Sequence, residues 1–440
     1  MLYKQSFLLV GMLLSLFLSS LRLSAQSEET FLRTYQDYQS RFYHYFIYES
    51  GDPMTQGSFL PVEYRKYRTD GKTVVYWADG VWWLGHYVAV LALEYERLKI
   101  TGQDTSTTIR RLYSALMTFK RLDLNAEYCW GDTTADPKPN GFYLRDDVSA
   151  NMNKEYSAEI ISSDYVRCCG KIETKGNAPS QDQAWACYIG LALVNKLVGD
   201  TTILRLSRET ALALVTVMQH IQDKKETWEI VNPITGSGIQ KKEDIQWLRY
   251  AHAAIGTYLT GQEMTFGNAQ SRFWKNIWKL LQNNFLIDKY GHFNWYGVMS
   301  ISAVLNEVGD GKKKCYDWLV YSSDRIVKKR PDLQQTLIFP HLPLVNVILH
   351  GYDGNQPLPA AAYVSYLSTA PRAGAFRYPQ QDTTFNSQPP WHSLSLFCPW
   401  QLRSEGEFNM LDYMLLYNAY WLVYKSGLPQ YEQFARTNFR

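Results

Sequence analysis

Carboxylates set among tryptophans are the residues whose types and placement could do chemistry in this chain. Asp79 precedes the pair Trp82-Trp83 and His86 in "YWADGVWWLGHY", and Asp182 precedes Trp185 in "SQDQAWACYIGLAL". Asp146 and Asp147 are adjacent in "GFYLRDDVSANMNKEYSAE", downstream of Trp130. Trp247, Trp295 and His341 follow, and Asp412 lies in "EFNMLDYMLLYNAYWLV". Cleaving a glycosidic bond needs one acid to protonate the leaving oxygen and a second carboxylate opposite as base or nucleophile. Aromatic rings with an apolar face and a polar edge suit wet sugar surfaces. Fourteen Trp and thirty-two Tyr exceed what a core alone requires.

Each residue also has a plainer role. Ser180-x-x-Gln183 has the form of a capping box. Asp182 then falls in the first helical turn, where the helix dipole favours its charge by roughly 0.3–1 kcal/mol. That state suits a base or nucleophile better than an acid. Asp79 is placed as an N-cap. Asp146 and Asp147 raise one another's pKa while Arg145 pulls the other way. His86 on an apolar helix fits a satisfied core group, and Asp412 fits an internal hydrogen-bond partner. The sequence-level assignment makes Asp182, Asp147 and Asp79 catalytic. Trp82, Trp83, His86, Trp130, Asp146, Trp185, Trp247, Trp295, His341 and Asp412 are assigned to substrate binding.

Other chemistries find no support. There is no GxSxG elbow, P-loop, GxGxxG after a strand, or HExxH. A net charge of +3 gives no electrostatic case for nucleic acid. Six cysteines without a CxxC pair or a His at ligand spacing do not read as a zinc site. No cofactor and no metal is expected. Cys168 or Cys169 could pair with Cys129, and Cys187, inside an apolar run, reads as a buried thiol.

The elements that must hold these residues repeat along the chain. An aromatic, about four turns of apolar helix and a Gly stop recur at 82–104, 185–200, 247–262 and 295–310, and more weakly at 339–354 and 410–427. Gly102, Gly199, Gly261, Gly309, Gly351 and Gly427 end these stretches, as C-cap glycines do. Amphipathic helices at 107–123, 204–223 and 269–284 lie between, with apolar residues at spacings of three and four. No alternating β-type run of comparable length appears, so the fold class is all-α. Six buried helices alternating with six two-faced ones imply a closed double ring, an (α/α)6 toroid. The long connections at 124–179, 224–243 and 355–408 then gather at one rim, before the inner helices.

This pattern resembles the six-hairpin, or (α/α)6-toroid, glycosidases and related polysaccharide lyases, over essentially the whole mature chain. An Asp opening an inner helix, as Asp182 does, is similar to the catalytic aspartate of unsaturated glucuronyl hydrolases. The resemblance implies a secreted glycoside hydrolase acting on oligosaccharides. A lyase, with a base among His86, His252, His341 and the tyrosines, is the alternative within the fold, and a non-catalytic glycan-binding toroid is the alternative outside enzymes.

Lys4, an apolar stretch at Phe7–Leu18 and Leu23-Ser24-Ala25 read as a signal peptide over 1–25. Its apolar core falls short of the about 20 residues that a spanning helix needs. Residues 26–440 are expected to form one domain, exported to the periplasm or beyond, with no membrane span after signal removal. Oligosaccharide or polysaccharide is the expected partner. Oligomeric state is not legible.

Overall fold

The computed structural model describes residues 28–77, 79–130, 139–168, 177–179, 181–223, 229–231, 238–241, 255–263, 341–351, 360–370, 376–377 and 406–431. Within these, helix dominates. A first helix, α1, covers 28–45. It is followed by α2 at Gly80–Ile100 and α3 at Ser106–Trp130. A five-residue α4, Asp164–Cys168, precedes α5 at Gln181–Leu197 and α6 at Thr201–Asp223. Further along are α7 over 255–260, α8 at His341–His350, α9 at Ala360–Ser368 and α10 at Leu411–Tyr424.

Helices α2 and α10 are apolar on nearly every side and almost wholly buried, as wrapped helices must be. By contrast α3 and α6 are two-faced. Leu112, Leu116, Phe119 and Leu122 of α3 are buried, while Tyr113 and Tyr128 are exposed. The α2 helix ends where the sequence places a stop. Gly102 takes φ +68, its N–H bonds Lys99 O, and Gln103 N–H reaches Leu98 O. Such a left-handed C-terminal turn costs glycine no steric strain. Asp104 then accepts Ser106 N–H at 3.0 Å and starts α3, so two helices reverse in five residues.

The helix directions follow from side-chain pairs. Tyr35 of α1 meets Glu94 and Tyr417, whereas Tyr38 meets Tyr413 and Tyr43 meets Tyr87. Rising numbers in α1 therefore pair with falling numbers in both α2 and α10. These two are parallel to each other, with α1 antiparallel in the groove outside them. Helix α5 also runs parallel to α2, because Gly85 meets Ala186 and Val88 meets Gly190. A Cβ on Gly85 would lie 2.5 Å from the Ala186 backbone, and one on Gly190 2.5 Å from Gly85 O. The two backbones touch because both contact positions lack a side chain.

The all-α expectation needs correction. Strands β1 (Tyr64–Tyr67), β2 (Thr73–Tyr76), β3 (Ile160–Ser162), β6 (Phe376–Arg377) and β7 (Gly406–Phe408) form a mixed sheet in the order β3-β2-β1-β7-β6. A separate hairpin joins β4 (Glu229–Val231) to β5 (Gly238–Lys241). These strands span two to four residues each, too short for an alternating pattern to stand out. One local signal was present: Asp70-Gly71 between "YRKY" and "TVVY" marks a hairpin turn. Gly71 sits there at φ +81. Two connections expected to be irregular also contain helix. Leu124–Glu127 extends α3 to Trp130, since Leu, Ala and Glu favour helix, and α9 lies inside 355–408.

Candidate functional site

Because α2, α5 and α10 run parallel, their first turns lie at one end of the molecule, and the sheet lies there too. Strand β2 leads into α2 and β7 into α10. Asp79 occupies the N-cap position of α2 with φ −135 and ψ 64, yet its carboxylate makes no capping bond. The helix end is satisfied from elsewhere: Val81 N–H donates to Arg145 O at 3.1 Å. Gly80 permits this crossing, since a Cβ there would lie 2.7 Å from Arg145 O.

Relieved of capping, the Asp79 carboxylate turns toward α5. Gln183 Nε2 donates to Asp79 Oδ1 at 2.8 Å, and Arg145 Nη1 donates to the same oxygen at 3.2 Å. The Asp79 side chain is 31% exposed and Arg145 18%. Asp164 Oδ2 stands 4.0 Å from Arg145 Nη1 on the other side. Arg145 is itself fixed, its Nε donating to Ala178 O at 2.7 Å and its backbone N–H to Asn177 Oδ1 at 2.9 Å. Asp182 is the residue before Gln183, at the second position of α5. The rim thus carries Asp79, Arg145, Asp164 and Gln183 together, next to the helix turn that holds Asp182.

Below this group lie His86, Trp82 and Trp83, all buried. His86 Nδ1 is 2.9 Å from Trp82 O, and the two rings lie 5.2 Å apart on one helix face. The ring of His341, the first residue of α8, lies edge-on to His86 at 6.5 Å. Burial lowers the His86 pKa to about 4, and burial with His86 nearby lowers His341 well below the usual value. Both imidazoles are neutral at neutral pH. They offer hydrogen bonds and lone pairs rather than charge.

Asp146 and Asp147 occupy other places than the expected cavity. Asp147 is fully buried, held by Arg121 through Nε at 2.7 Å and Nη2 at 3.1 Å. It also accepts Asn125 Nδ2 at 2.9 Å and Gly57 N–H at 3.1 Å. A carboxylate with both oxygens so engaged anchors its loop to α3, and this corrects its assignment as a reacting group. Asp146 is fully buried as well and accepts N–H from Val148, Asp164 and Tyr165, so it caps α4 rather than binding substrate. Burial, with Asp164 nearby, pushes its pKa up to about 7 against the pull of those amides. In an extended loop neighbouring side chains point apart. Asp147 turns toward α3, whereas Asp146 packs beneath the start of α2, its Cβ 3.4 Å from where a Cβ on Gly80 would lie, and Arg145 before them reaches Asp79.

Asp412 is buried in the first turn of α10 and accepts Tyr413 N–H at 2.8 Å. Glu407, on β7, is buried against Arg41. Trp247 and Trp295 lie outside the described residues, as do the side chains of Asp182, Trp130 and Trp185. Cys187 is a buried thiol, and Cys129 is disulfide-bonded. Among the described residues no group of three His, Cys, Asp or Glu could hold a metal ion, and no helix is long and apolar enough to cross a membrane.

Sequence reasoning missed Arg145, Asp164 and Gln183 as rim residues. Gln183 carried a signal, but as a capping-box residue. Its reach to Asp79 depends on the Gly85–Gly190 contact, which only the tertiary fold creates. In comparisons with known proteins, the chain matches no family model, no curated protein and no solved structure.

Proposed function

We propose that this chain is an exported glycoside hydrolase built as an (α/α)6 toroid, with Asp79 and Asp182 as its working carboxylates. The observation that carries the reading is the Asp79 side chain. It stands at a helix start without capping it, is part-exposed, and is held by Gln183 and Arg145 toward the turn that bears Asp182. Asp79, with Trp82 and Trp83 following it in α2 and Asp182 in the first turn of the neighbouring parallel helix, supplies the pair of carboxyl residues that glycosidic cleavage calls for. Ring closure is supported by α10, the last long helix, packing beside α2 with α1 outside both. The Cys129 disulfide supports an oxidising compartment, in keeping with the N-terminal signal pattern. Oligosaccharide is the proposed substrate.

Incubation with a glycan panel tests the assignment. New reducing ends without new ultraviolet absorbance mean hydrolysis. A rise in absorbance from an unsaturated product means a lyase instead. Absence of turnover on every glycan removes the enzyme reading.

A further inference from the structure

The rim sheet carries a row of side chains that neither the helix ends nor the carboxylates explain. Ser162 on β3 is the register partner of Tyr76 on β2. Tyr76 is the partner of Tyr64 on β1, and Tyr64 is the partner of Phe408 on β7. Directly opposed residues project from the same face of a sheet. The Tyr64 and Tyr76 rings stack at 4.4 Å with 13° between planes, and Phe408 follows at 5.9 Å. On the opposite face Arg65, Val75, Ile161 and Glu407 are all buried. Tyr64, Tyr76 and Ser162 are only partly covered.

One ring face in this row differs from the others. Tyr64 lies between Tyr76 and Phe408, whereas the face of Tyr76 turned away from Tyr64 looks over Ser162. That residue is small, and among the described residues its strand is the edge of the sheet. A flat aromatic wall above a short hydroxyl side chain suits the apolar face of a sugar ring, with the serine and phenol oxygens at its edge. Tyr76 precedes Asp79 by three residues, at most about 10 Å of chain. A sugar seated there lies within one short segment of the helix start that carries the carboxylate.

We propose that Tyr76 and Ser162 form a sugar-binding subsite that seats one pyranose ring of an oligosaccharide against the Tyr76 face, at the rim beside Asp79. This rests on the reading of the rim as a carbohydrate site. It does not require that the sugar be cleaved.

The test is affinity electrophoresis of the Asp79→Asn protein through gels containing xylan, mixed-linkage β-glucan, homogalacturonan or chondroitin sulfate. At least one should retard it. Adding Tyr76→Ala should weaken that retardation about tenfold, the scale of one lost ring contact. Tyr76→Phe should retain most of it. Ser162→Leu, which fills the slot against the Tyr76 ring while leaving that ring in place, should match Tyr76→Ala, with unchanged circular dichroism in each. Retardation that ignores both Tyr76→Ala and Ser162→Leu overturns the subsite, as does the absence of retardation in every gel. Retardation that depends on Tyr76, without new reducing ends from the unsubstituted protein, overturns only the hydrolase reading.

Discussion

Gln183 and Asp79 are joined by a 2.8 Å hydrogen bond between the first turns of two parallel helices, across 104 positions of sequence. The bond holds the Asp79 carboxylate away from its own helix end, and Arg145 holds it from the other side. A carboxylate that served only as a cap would turn inward to the free N–H groups of α2. This one does not, and a backbone carbonyl does that work instead.

The first prediction concerns that carboxylate and its neighbour. Asp79→Asn and Asp182→Asn each keep size and shape while removing charge. Each should lower turnover by at least about 100-fold, the lower end of what general acid–base catalysis contributes. Neither should move the melting temperature by more than a few degrees, since a charge at a helix start is worth only about 0.3–1 kcal/mol. Full turnover in Asp182→Asn would leave that residue a helix-end charge alone.

Asp147 should behave in the opposite way. Its pair with Arg121 is fully buried, with side-chain exposures of 0% and 1%. Arg121→Leu leaves an uncompensated buried carboxylate and should destabilise the fold by about 3–5 kcal/mol. Chemical denaturation reads this directly. Turnover per folded molecule should stay near that of the unsubstituted protein, and a selective loss of catalysis with intact stability would reinstate Asp147 as a reacting group.

What could be read from the sequence divides along a physical line. The apolar helices α2, α5 and α10 were legible because a wrapped helix writes its burial into consecutive residues, as Tyr87–Leu93 does. The buried Cys187 was legible for the same reason. The stops at Gly102 and Gly427 take the expected positive φ, whereas Gly199 does not, and the helix expected at 295–310 lies outside the described residues. The rim sheet was not legible, since its strands are held by partners as distant as Tyr64 and Phe408. Asp79 was recognisable as a helix start, yet its turn toward Gln183 was not. That turn depends on Arg145 O taking the Val81 N–H, a contact between segments 64 positions apart that no local pattern encodes. Asp146 and Asp147 misled because two adjacent carboxylates look reactive until their donors, Arg121 and the amides of α4, are known.

The contact between α2 and α5 gives a third prediction. Gly85→Ala places a methyl group 2.5 Å from Ala186 backbone, which cannot yield as a flexible side chain can. The helices must separate, so the Gln183–Asp79 bond lengthens with them. Destabilisation of about 1–3 kcal/mol is expected, typical of overpacking, together with loss of turnover in the fraction that still folds. Gly102→Ala, at a site with no atom within 4 Å of its added Cβ, should cost stability through its positive φ alone and spare turnover per folded molecule. Equal turnover per folded molecule in both variants would separate the helix contact from the site.

The last prediction concerns pH. Burial lowers His86 to about 4 in the folded chain, against about 6.5 when unfolded. Above about pH 6.5 neither state binds the proton, and the stability is present in full. Between about 6.5 and 4 the unfolded chain takes a proton that the folded chain refuses, so stability falls as pH falls, by about 3 kcal/mol in all. His341 acts in the same direction. Asp146 acts oppositely: protonated up to about 7 when folded but ionised from about 4 when unfolded, it contributes most in acid and loses that contribution as pH rises to about 7. The whole-protein profile therefore mixes opposed trends, and a variant must isolate one of them. His86→Asn removes the titrating ring while an amide N–H can still reach Trp82 O. The stability difference between the unsubstituted protein and His86→Asn, from urea unfolding at each pH, should shrink by about 3 kcal/mol from pH 7 to pH 4. Asp146 cancels in that difference because both proteins carry it, and His341 cancels apart from the part of its shift that His86 causes. A difference that stays constant across this range would mean that the His86 ring meets water in the folded state, and the closed floor beneath Asp79 would have to be given up.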